Sequence, residues 1–277
     1  MIVGIIGAGT MGMGIAQVFA MQEENTVKIT SSSIASAQRS KDKLQGRLLD
    51  RVKKGKAVES DVTALLEKIG VCEIKDLYDC DLIIETIKED YDAKVRILKQ
   101  VIEVCKEGCV LATNTSSLSI TEMATAIDHN LIGMHFFNPA PVMKLVEVVI
   151  GLNTPQEDID FIMQTAEKMG KCPIEVKDQP GFVVNRMLIP MINEAIAIYA
   201  EGTASAESID NAMRFGANHP MGPLQLGDLI GLDVCMAILE VLYAETGNSR
   251  YFPHPLLRKM VRGGWLGRKS GRGFYTY

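Results

Sequence analysis

The sequence predicts an α/β protein in which a mostly parallel sheet, covered by helices on both faces, is followed by a smaller all-α C-terminal domain. Short β-branched runs alternate with helical patterns through the first half of the chain, which is typical of a parallel sheet buried on both sides. A glycine-rich turn follows the first of these runs. Beyond residue 180, apolar residues recur with helical spacing almost throughout.

The predicted strands of the first half are short apolar runs with many β-branched residues. In chain order they are Val3–Ile6, Val27–Ile29, Leu82–Ile84, Val110–Thr113 and Leu131–Met134. Between the second and the third lies Ser40–Gly70, a polar segment whose periodicity predicts a pair of helices. The sheet domain is therefore expected to carry a helical insertion.

The chain changes character after Lys144–Ile150. Thr154-Pro155-Gln156-Glu157 has the pattern of a capping box with proline at the first helical position, and it predicts a helix to about Met169. A short strand is expected at Pro173–Val176. We place the domain boundary near Lys177–Pro180, which separates residues 1–179 from residues 180–277.

The second domain is expected to consist mainly of long helices. They are predicted at Phe182–Ala200, Ala206–Gly216 and Leu224–Thr246. Their broad apolar faces also predict a homodimer that forms through this domain.

Composition excludes several classes of protein. With 277 residues, 47% of them apolar, the chain can bury a substantial core. Its apolar stretches are interrupted, for example by Asp233 and Glu240, so no membrane span of about 18 residues is predicted. Without a visible export signal, we expect a cytoplasmic protein.

The net charge of −5 disfavours nucleic-acid binding. Six cysteines without a C-x-x-C pair indicate buried thiols and no metal site.

The glycine-rich turn Gly7-Ala8-Gly9-Thr10-Met11-Gly12 stands between the first strand and the apolar helix Ile15–Met21. In that setting Gly7 permits a tight turn, Gly9 lets a pyrophosphate approach the backbone, and Gly12 lets the helix pack closely on the strand. The helix N-terminus then faces the phosphates. These features predict that residues 1–179 form a Rossmann-type dinucleotide-binding domain.

The second strand departs from the usual pattern for NAD. About twenty residues after the glycine turn, such sites usually place Asp or Glu on the adenosine ribose 2′-hydroxyl. Here the chain has Ser31, Ser32 and Ser33, with Arg39 following. Serine hydroxyls can accept a 2′-phosphate that a carboxylate would repel, which favours NADP(H) over NAD(H). The alternative is a serine-rich loop with a helix cap at Ser33 that binds NAD less tightly.

Residues 39–56 form a basic segment, with eight Lys or Arg residues against Asp42 and Asp50 and a net charge of +6. Such a run is often a solvated helix face. The functional alternative is attraction of a polyanionic ligand.

Long motifs through the whole chain resemble the L-3-hydroxyacyl-CoA dehydrogenase family, especially its bacterial 3-hydroxybutyryl-CoA dehydrogenases. They are the turn Gly7–Gly12, Asn114–Thr121, Gly133–Pro139, Val142–Val148, Pro180–Arg186, Gly216–Leu224 and Gly267–Tyr275. The resemblance implies hydride transfer, with NAD(P)(H), between (S)-3-hydroxybutyryl-CoA and acetoacetyl-CoA.

His135 and Glu147 are the candidate acid–base pair. His135 follows a predicted parallel strand at the sheet edge where ligands bind. Glu147 interrupts the apolar run Leu145–Ile150, and a buried carboxylate there needs a donor such as His135. The residues alone equally allow an edge strand that exposes Lys144 and Glu147 to water. The resemblance implies that His135 is the general base or acid and that Glu147 orients its ring.

The resemblance also implies roles for further residues. Ser116 would hydrogen-bond the 3-oxygen of the substrate, and Asn185 would complete the polar group around the reacting carbon; otherwise Ser116 lies in a helix-capping loop and Asn185 on a helix surface. Cofactor contacts are implied for Glu89, Lys94 and Asn114. Contacts with the acyl-CoA substrate are implied for Asn138 and Lys54.

Two other functions remain open at this stage. The same scaffold serves dehydrogenases of hydroxy acids or sugar acids that lack CoA. A catalytically silent dinucleotide-binding protein is the alternative from outside the enzymes.

Overall fold

The computed structural model describes residues 1–277, which divide into two units, Met1–Gln179 and Pro180–Tyr277. The first unit contains eight strands, β1 (Ile2–Ile6), β2 (Thr26–Thr30), β3 (Ile69–Val71), β4 (Leu82–Glu85), β5 (Val110–Thr113), β6 (Ile132–Phe136), β7 (Leu145–Ile150) and β8 (Cys172–Lys177). They form one sheet in the order β3-β2-β1-β4-β5-β6-β7-β8. All neighbours pair in parallel except β6 and β7, which confirms the predicted mostly parallel sheet.

Six helices accompany the sheet. They are α1 (Thr10–Ala20), α2 (Ile34–Lys53), α3 (Glu59–Glu67), α4 (Tyr91–Ile102), α5 (Ile120–Ile127) and α6 (Gln156–Lys168). The predicted helical insertion is confirmed as α2 and α3. However, α2 begins six residues earlier than the predicted segment, because the Ser33 hydroxyl caps it by accepting from the Ser36 amide at 3.2 Å.

Two local predictions in this unit are incomplete or wrong. The strand β3 was not predicted, because three residues that include Gly70 carry too little pattern. The capping box at Thr154 does not form, since Pro155 takes the N-cap position of α6. The Thr154 hydroxyl instead accepts from the Gly151 amide and donates to the Leu131 carbonyl, both at 3.0 Å.

The central strands are apolar because both of their faces are covered. Every residue of β4, β5 and β6 is buried. Gly133 shows how tightly this region packs, because a Cβ atom added there would lie 2.5 Å from the Cβ of Val149 on β7. The edge strand β8 is half exposed, so Cys172 is exposed and the expectation of buried cysteines is wrong at that position.

The second unit consists of α7 (Val184–Ala200), α8 (Ala206–Gly216), α9 (Pro223–Ile230), α10 (Leu232–Thr246) and α11 (Pro255–Arg262). The predicted stretch Leu224–Thr246 is two helices, because Gly231 has a φ of 106° that interrupts the helical backbone. None of the helices combines the length and hydrophobicity needed to cross a bilayer.

The last residues of the chain are fastened to α9 by a buried carboxylate. Asp228 is 1% exposed. It accepts hydrogen bonds from the amides of Phe274 and Tyr275, both at 3.0 Å, and from the Tyr277 hydroxyl at 3.2 Å. The C-terminal segment is therefore part of the packing of the helical unit.

Two glycine substitutions test the packing of the first unit. Gly133→Ala is expected to lower the free energy of unfolding by about 1–3 kcal/mol, because the added methyl group has no room beside Val149. Gly46 lies inside α2 with open space around it. Gly46→Ala should therefore raise the free energy of unfolding by roughly 0.5–1 kcal/mol. Urea denaturation of both variants and the wild type measures the difference. A stable Gly133→Ala protein would contradict the packing described for β6 and β7.

Candidate active site

The glycine turn between β1 and α1 has the geometry of a phosphate-binding turn. Gly7 has a φ of 106°, and a Cβ atom at Gly12 would overlap the Gly7 carbonyl oxygen. At Gly9 nothing lies within 4 Å of an added Cβ, so this side of the turn is open. The Thr86 hydroxyl donates to the Gly7 carbonyl at 2.9 Å and ties the turn to the end of β4. The backbone is thus fixed on one side and accessible on the other, as a pyrophosphate requires.

A cleft of about 560 Å³ lies beside this turn. Its lining residues come from the glycine turn, the end of β2, the loop after β4 and one face of α4. Apolar side chains of Ile74, Ile87 and Ile97 contribute to its walls, together with the polar residues Ser31 and Ser32. This combination fits the adenosine part of a dinucleotide.

His135 and Glu147 face each other across β6 and β7. The antiparallel register pairs them directly, and His135 Nδ1 lies 2.8 Å from Glu147 Oε2. His135 is 6% exposed and Glu147 is fully buried. His135 lies within β6 and not beyond it, and β7 is an internal strand between β6 and β8. The burial of Glu147 decides against the alternative of a water-exposed edge strand.

The loop that carries Ser116 is held by Glu89. One oxygen of the Glu89 carboxylate accepts from the Thr115 hydroxyl at 2.6 Å, the Ser116 amide at 2.8 Å and the Ser117 amide at 3.1 Å. The hydroxyls of Ser116 and Ser117 also lie 3.1 Å from it. Glu89 therefore fixes the backbone from which the Ser116 side chain projects.

Lys94 lies beneath this loop and is 1% exposed. Its ammonium contacts both oxygens of Glu85 at 2.8 Å and lies 3.4 Å from the second oxygen of Glu89. Glu85 is fully buried and also accepts from the Thr113 hydroxyl at 2.6 Å. Sequence reasoning missed Glu85, although a glutamate directly after the apolar run Leu82–Ile84 was a signal that a buried cation lay nearby.

The charge state of Glu89 follows from these contacts. Burial favours the neutral acid and raises its pKa, but Lys94 and the hydroxyl and amide donors of the loop outweigh burial. The net effect holds the pKa of the Glu89 carboxyl below its ordinary value. Glu89 is thus held as an anion that keeps the loop in place.

The remaining predicted site residues occupy different places. The Asn114 side-chain oxygen accepts from the Phe136 amide at 2.8 Å, which joins the ends of β5 and β6. Asn138 is exposed just after β6, and Lys54 is exposed at the C-terminal cap of α2. Asn185 lies in the first turn of α7, in the second unit. Their contacts with ligands stay predictions, as do the cofactor contacts implied for Glu89 and Lys94.

The basic segment forms a stripe on α2. Arg39, Lys43, Arg47 and Arg51 are all exposed and recur every four residues, so they share one side of the helix. Both acids of the segment are engaged on the helix itself, since Asp42 accepts from Gln38 at 2.7 Å and Asp50 lies 3.7 Å from Lys53. The stripe ends near Lys54.

The chain matches known proteins along its whole length. Residues 2–179 match the family model of the 3-hydroxyacyl-CoA dehydrogenase NAD binding domain, and residues 181–277 match that of the C-terminal domain. A 3-hydroxybutyryl-CoA dehydrogenase of Clostridioides difficile is 50% identical over 99% of this chain and 98% of its own. A probable 3-hydroxybutyryl-CoA dehydrogenase of Bacillus subtilis is 48% identical over 99% and 96%.

A solved structure shares both sequence and fold with the chain. The crystal structure of (S)-3-hydroxybutyryl-CoA dehydrogenase from Ralstonia eutropha has a TM-score of 0.94 and 47% identity, covering 100% of this chain and 98% of that one.

The role of Glu89 can be tested through the pH dependence of stability. Glu89→Gln is expected to lower the melting temperature at neutral pH, because the amide leaves less negative charge beside Lys94. The difference in melting temperature between the wild type and Glu89→Gln should be fully present above pH 4.5, the ordinary pKa of glutamate. It should shrink as the pH falls through the lower pKa that Glu89 has in the folded protein. Thermal denaturation of both proteins across this range measures it. Glu103→Gln, at the exposed end of α4, is the control, and a wild-type advantage independent of pH would contradict the assignment.

Proposed function

The chain belongs to the 3-hydroxyacyl-CoA dehydrogenase family, and from this premise we propose how its residues interconvert (S)-3-hydroxybutyryl-CoA and acetoacetyl-CoA. The reaction is an oxidoreduction in which hydride moves between C3 of the acyl group and NAD(H). The observation that carries the proposal is the buried pair of His135 and Glu147, whose side chains meet at 2.8 Å. A histidine ring held by a carboxylate is suited to proton transfer at a hydroxyl group.

In the oxidative direction, His135 accepts the proton of the 3-hydroxyl group. Glu147 holds Nδ1 of the ring, which leaves Nε2 as the atom that exchanges the proton with substrate, and its negative charge stabilises the ring once it is protonated. In the reductive direction, the same nitrogen donates a proton to the developing alkoxide. When bound, the nicotinamide ring supplies the hydride acceptor or donor, a chemistry for which the chain has no side chain.

Ser116 and Asn185 are proposed to hydrogen-bond the 3-oxygen as its charge changes. Glu89 supports the part of Ser116 in this proposal, because it holds the backbone amide of the loop that carries the Ser116 hydroxyl. That hydroxyl lies 3.1 Å from Glu89 and donates to it in this structure, so it turns toward the 3-oxygen when substrate binds. Lys94 supports this loop through its contact with Glu89. Donors held in place before the reaction stabilise a developing alkoxide without the cost of reorganisation.

The glycine turn, with Gly7, Gly9, Thr10, Met11 and Gly12, and the Asn114 region are proposed to bind the cofactor. The family match supports NAD(H). We further propose a preference for NADP(H). The support is the end of β2, where Ser31 lines the cleft and a carboxylate is usual in NAD sites.

The CoA part of the substrate is proposed to bind near Lys54, with Asn138 closer to the acyl group. Coenzyme A carries a pyrophosphate and a 3′-phosphate, which need cationic partners. The basic stripe that leads to Lys54 outnumbers the acids of its own helix, Asp42 and Asp50, neither of which forms an ion pair with a stripe residue. This arrangement supports an acyl-CoA over a free hydroxy acid.

We also propose a homodimer that forms through the helical unit. Exposed apolar side chains on that unit, among them Met187 at 72% and Phe215 at 77%, support a buried contact there. A cytoplasmic location is proposed as well. The six free cysteines are consistent with a reducing compartment.

The acid–base pair is tested by substitution of its two members. His135→Gln is expected to lower kcat by about 10²–10⁴-fold while cofactor affinity is kept, because only proton transfer is lost. Glu147→Gln should lower kcat less and change the pH–rate profile. Steady-state kinetics and cofactor titration give these quantities. Full activity of His135→Gln, or an unchanged pH profile of Glu147→Gln, would refute the corresponding role.

Substrate and cofactor are tested together in the reductive direction. Acetoacetyl-CoA should be reduced much faster than free acetoacetate, because the basic stripe contributes binding energy only to the CoA ester. NADPH should be preferred to NADH. Initial rates with each combination measure both preferences. If acetoacetate and acetoacetyl-CoA were reduced at equal rates, a hydroxy-acid dehydrogenase would be favoured. If no combination gave turnover, a silent binding protein would be favoured. A preference for NADH above about tenfold would reject the interpretation of Ser31.

A further inference from the structure

One wall of the cofactor cleft carries a cation that the proposed mechanism does not use. Arg96 lies in the second turn of α4 and is exposed. It lines the same 560 Å³ cleft as Ser31 and Ser32, which follow β2. The guanidinium and the serine hydroxyls therefore border one space.

The face of α4 that borders the cleft is defined by its spacing. Ala93, Arg96, Ile97 and Gln100 all line the cleft, and their spacing of three and four residues places them on one side of the helix. Ile97 belongs to the apolar part of the lining and offers a surface for an aromatic base. Arg96 and Gln100 add polar groups to the same face.

The charges around the cleft leave Arg96 available to an anion. No carboxylate lines the cleft. Its other cation, Lys88, lies 3.2 Å from Asp90, whose second oxygen accepts from the Ala93 amide at 2.9 Å. Arg96 forms no ion pair within the chain; the nearest acid that acts on it is Asp90, which attracts it at longer range and is already bound to Lys88 and the Ala93 amide.

We propose that Arg96 is a specificity-determining residue that binds the 2′-phosphate of NADP(H), with Ser31 and Ser32 as hydroxyl partners. This inference rests on the proposed preference for NADP(H). An arginine stays charged at any relevant pH and presents a planar set of donors that matches phosphate oxygens. NAD(H) carries a hydroxyl group at that position, so the guanidinium gives it no comparable advantage.

The test is the kinetics of Arg96→Gln with both cofactors at saturating acetoacetyl-CoA. The KM for NADPH is expected to rise about 10- to 100-fold, the range for loss of a hydrogen bond to a charged group. The KM for NADH and the kcat with NADPH should stay close to the wild-type values. Lys99→Gln removes an exposed cation of α4 that does not line the cleft and is the matched control.

Other outcomes separate this inference from the proposal on which it rests. An equal rise in KM for both cofactors would assign Arg96 to the adenine and overturn its role at the 2′-phosphate. If the wild type prefers NADPH and Arg96→Gln keeps that preference, the role of Arg96 at the 2′-phosphate is refuted and the proposed preference for NADP(H) stands. A wild type that prefers NADH would reject both. Calorimetric titration gives a second readout. Arg96→Gln should bind 2′,5′-ADP more weakly than the wild type does, whereas its affinity for 5′-ADP should be unchanged.

Discussion

The ammonium group of Lys94 is the charge around which the catalytic edge of the first unit is organised. A cation that is 1% exposed needs nearby negative charge, and the chain provides it from Glu85 on β4 and Glu89 in the following loop. Glu89 then gathers the donors of the loop after β5. Loss of one partner of a buried pair typically costs about 3–5 kcal/mol. Two loops from neighbouring strands thus share one electrostatic support.

The antiparallel reversal between β6 and β7 is the second constraint on the site. In an all-parallel sheet, a long crossover connection would separate β6 from the next strand, and the residue opposite His135 would depend on that connection. Here β6 and β7 run in opposite directions, and their register places Glu147 beside His135. Both side chains are held by buried strands. The histidine ring therefore has a fixed orientation before any substrate is bound.

Much of this arrangement could be predicted from the sequence, because burial and periodicity leave strong patterns. The alternating runs specified the sheet, and an acid inside the apolar strand Leu145–Ile150 indicated a buried partner. Features that depend on one backbone angle or on distant contacts left no such pattern. The break at Gly231 needed a φ value, and the hold of Glu89 on the Ser116 loop joins residues 27 positions apart. The direction of β7 did leave a signal, because the eight residues between Phe136 and Leu145 are too few for a parallel crossover.

The attachment of the chain end to α9 has a consequence for how the protein can be handled. Phe274, Tyr275 and Tyr277 supply hydrogen-bond donors to the buried carboxylate of Asp228, and burial raises the pKa of that carboxyl. Removal of those residues would take three hydrogen-bond donors from the Asp228 carboxylate and would uncover this part of α9. Tyr275 and Tyr277 are therefore part of the fold of the helical unit, and a change made beside them must leave their contacts with Asp228 undisturbed.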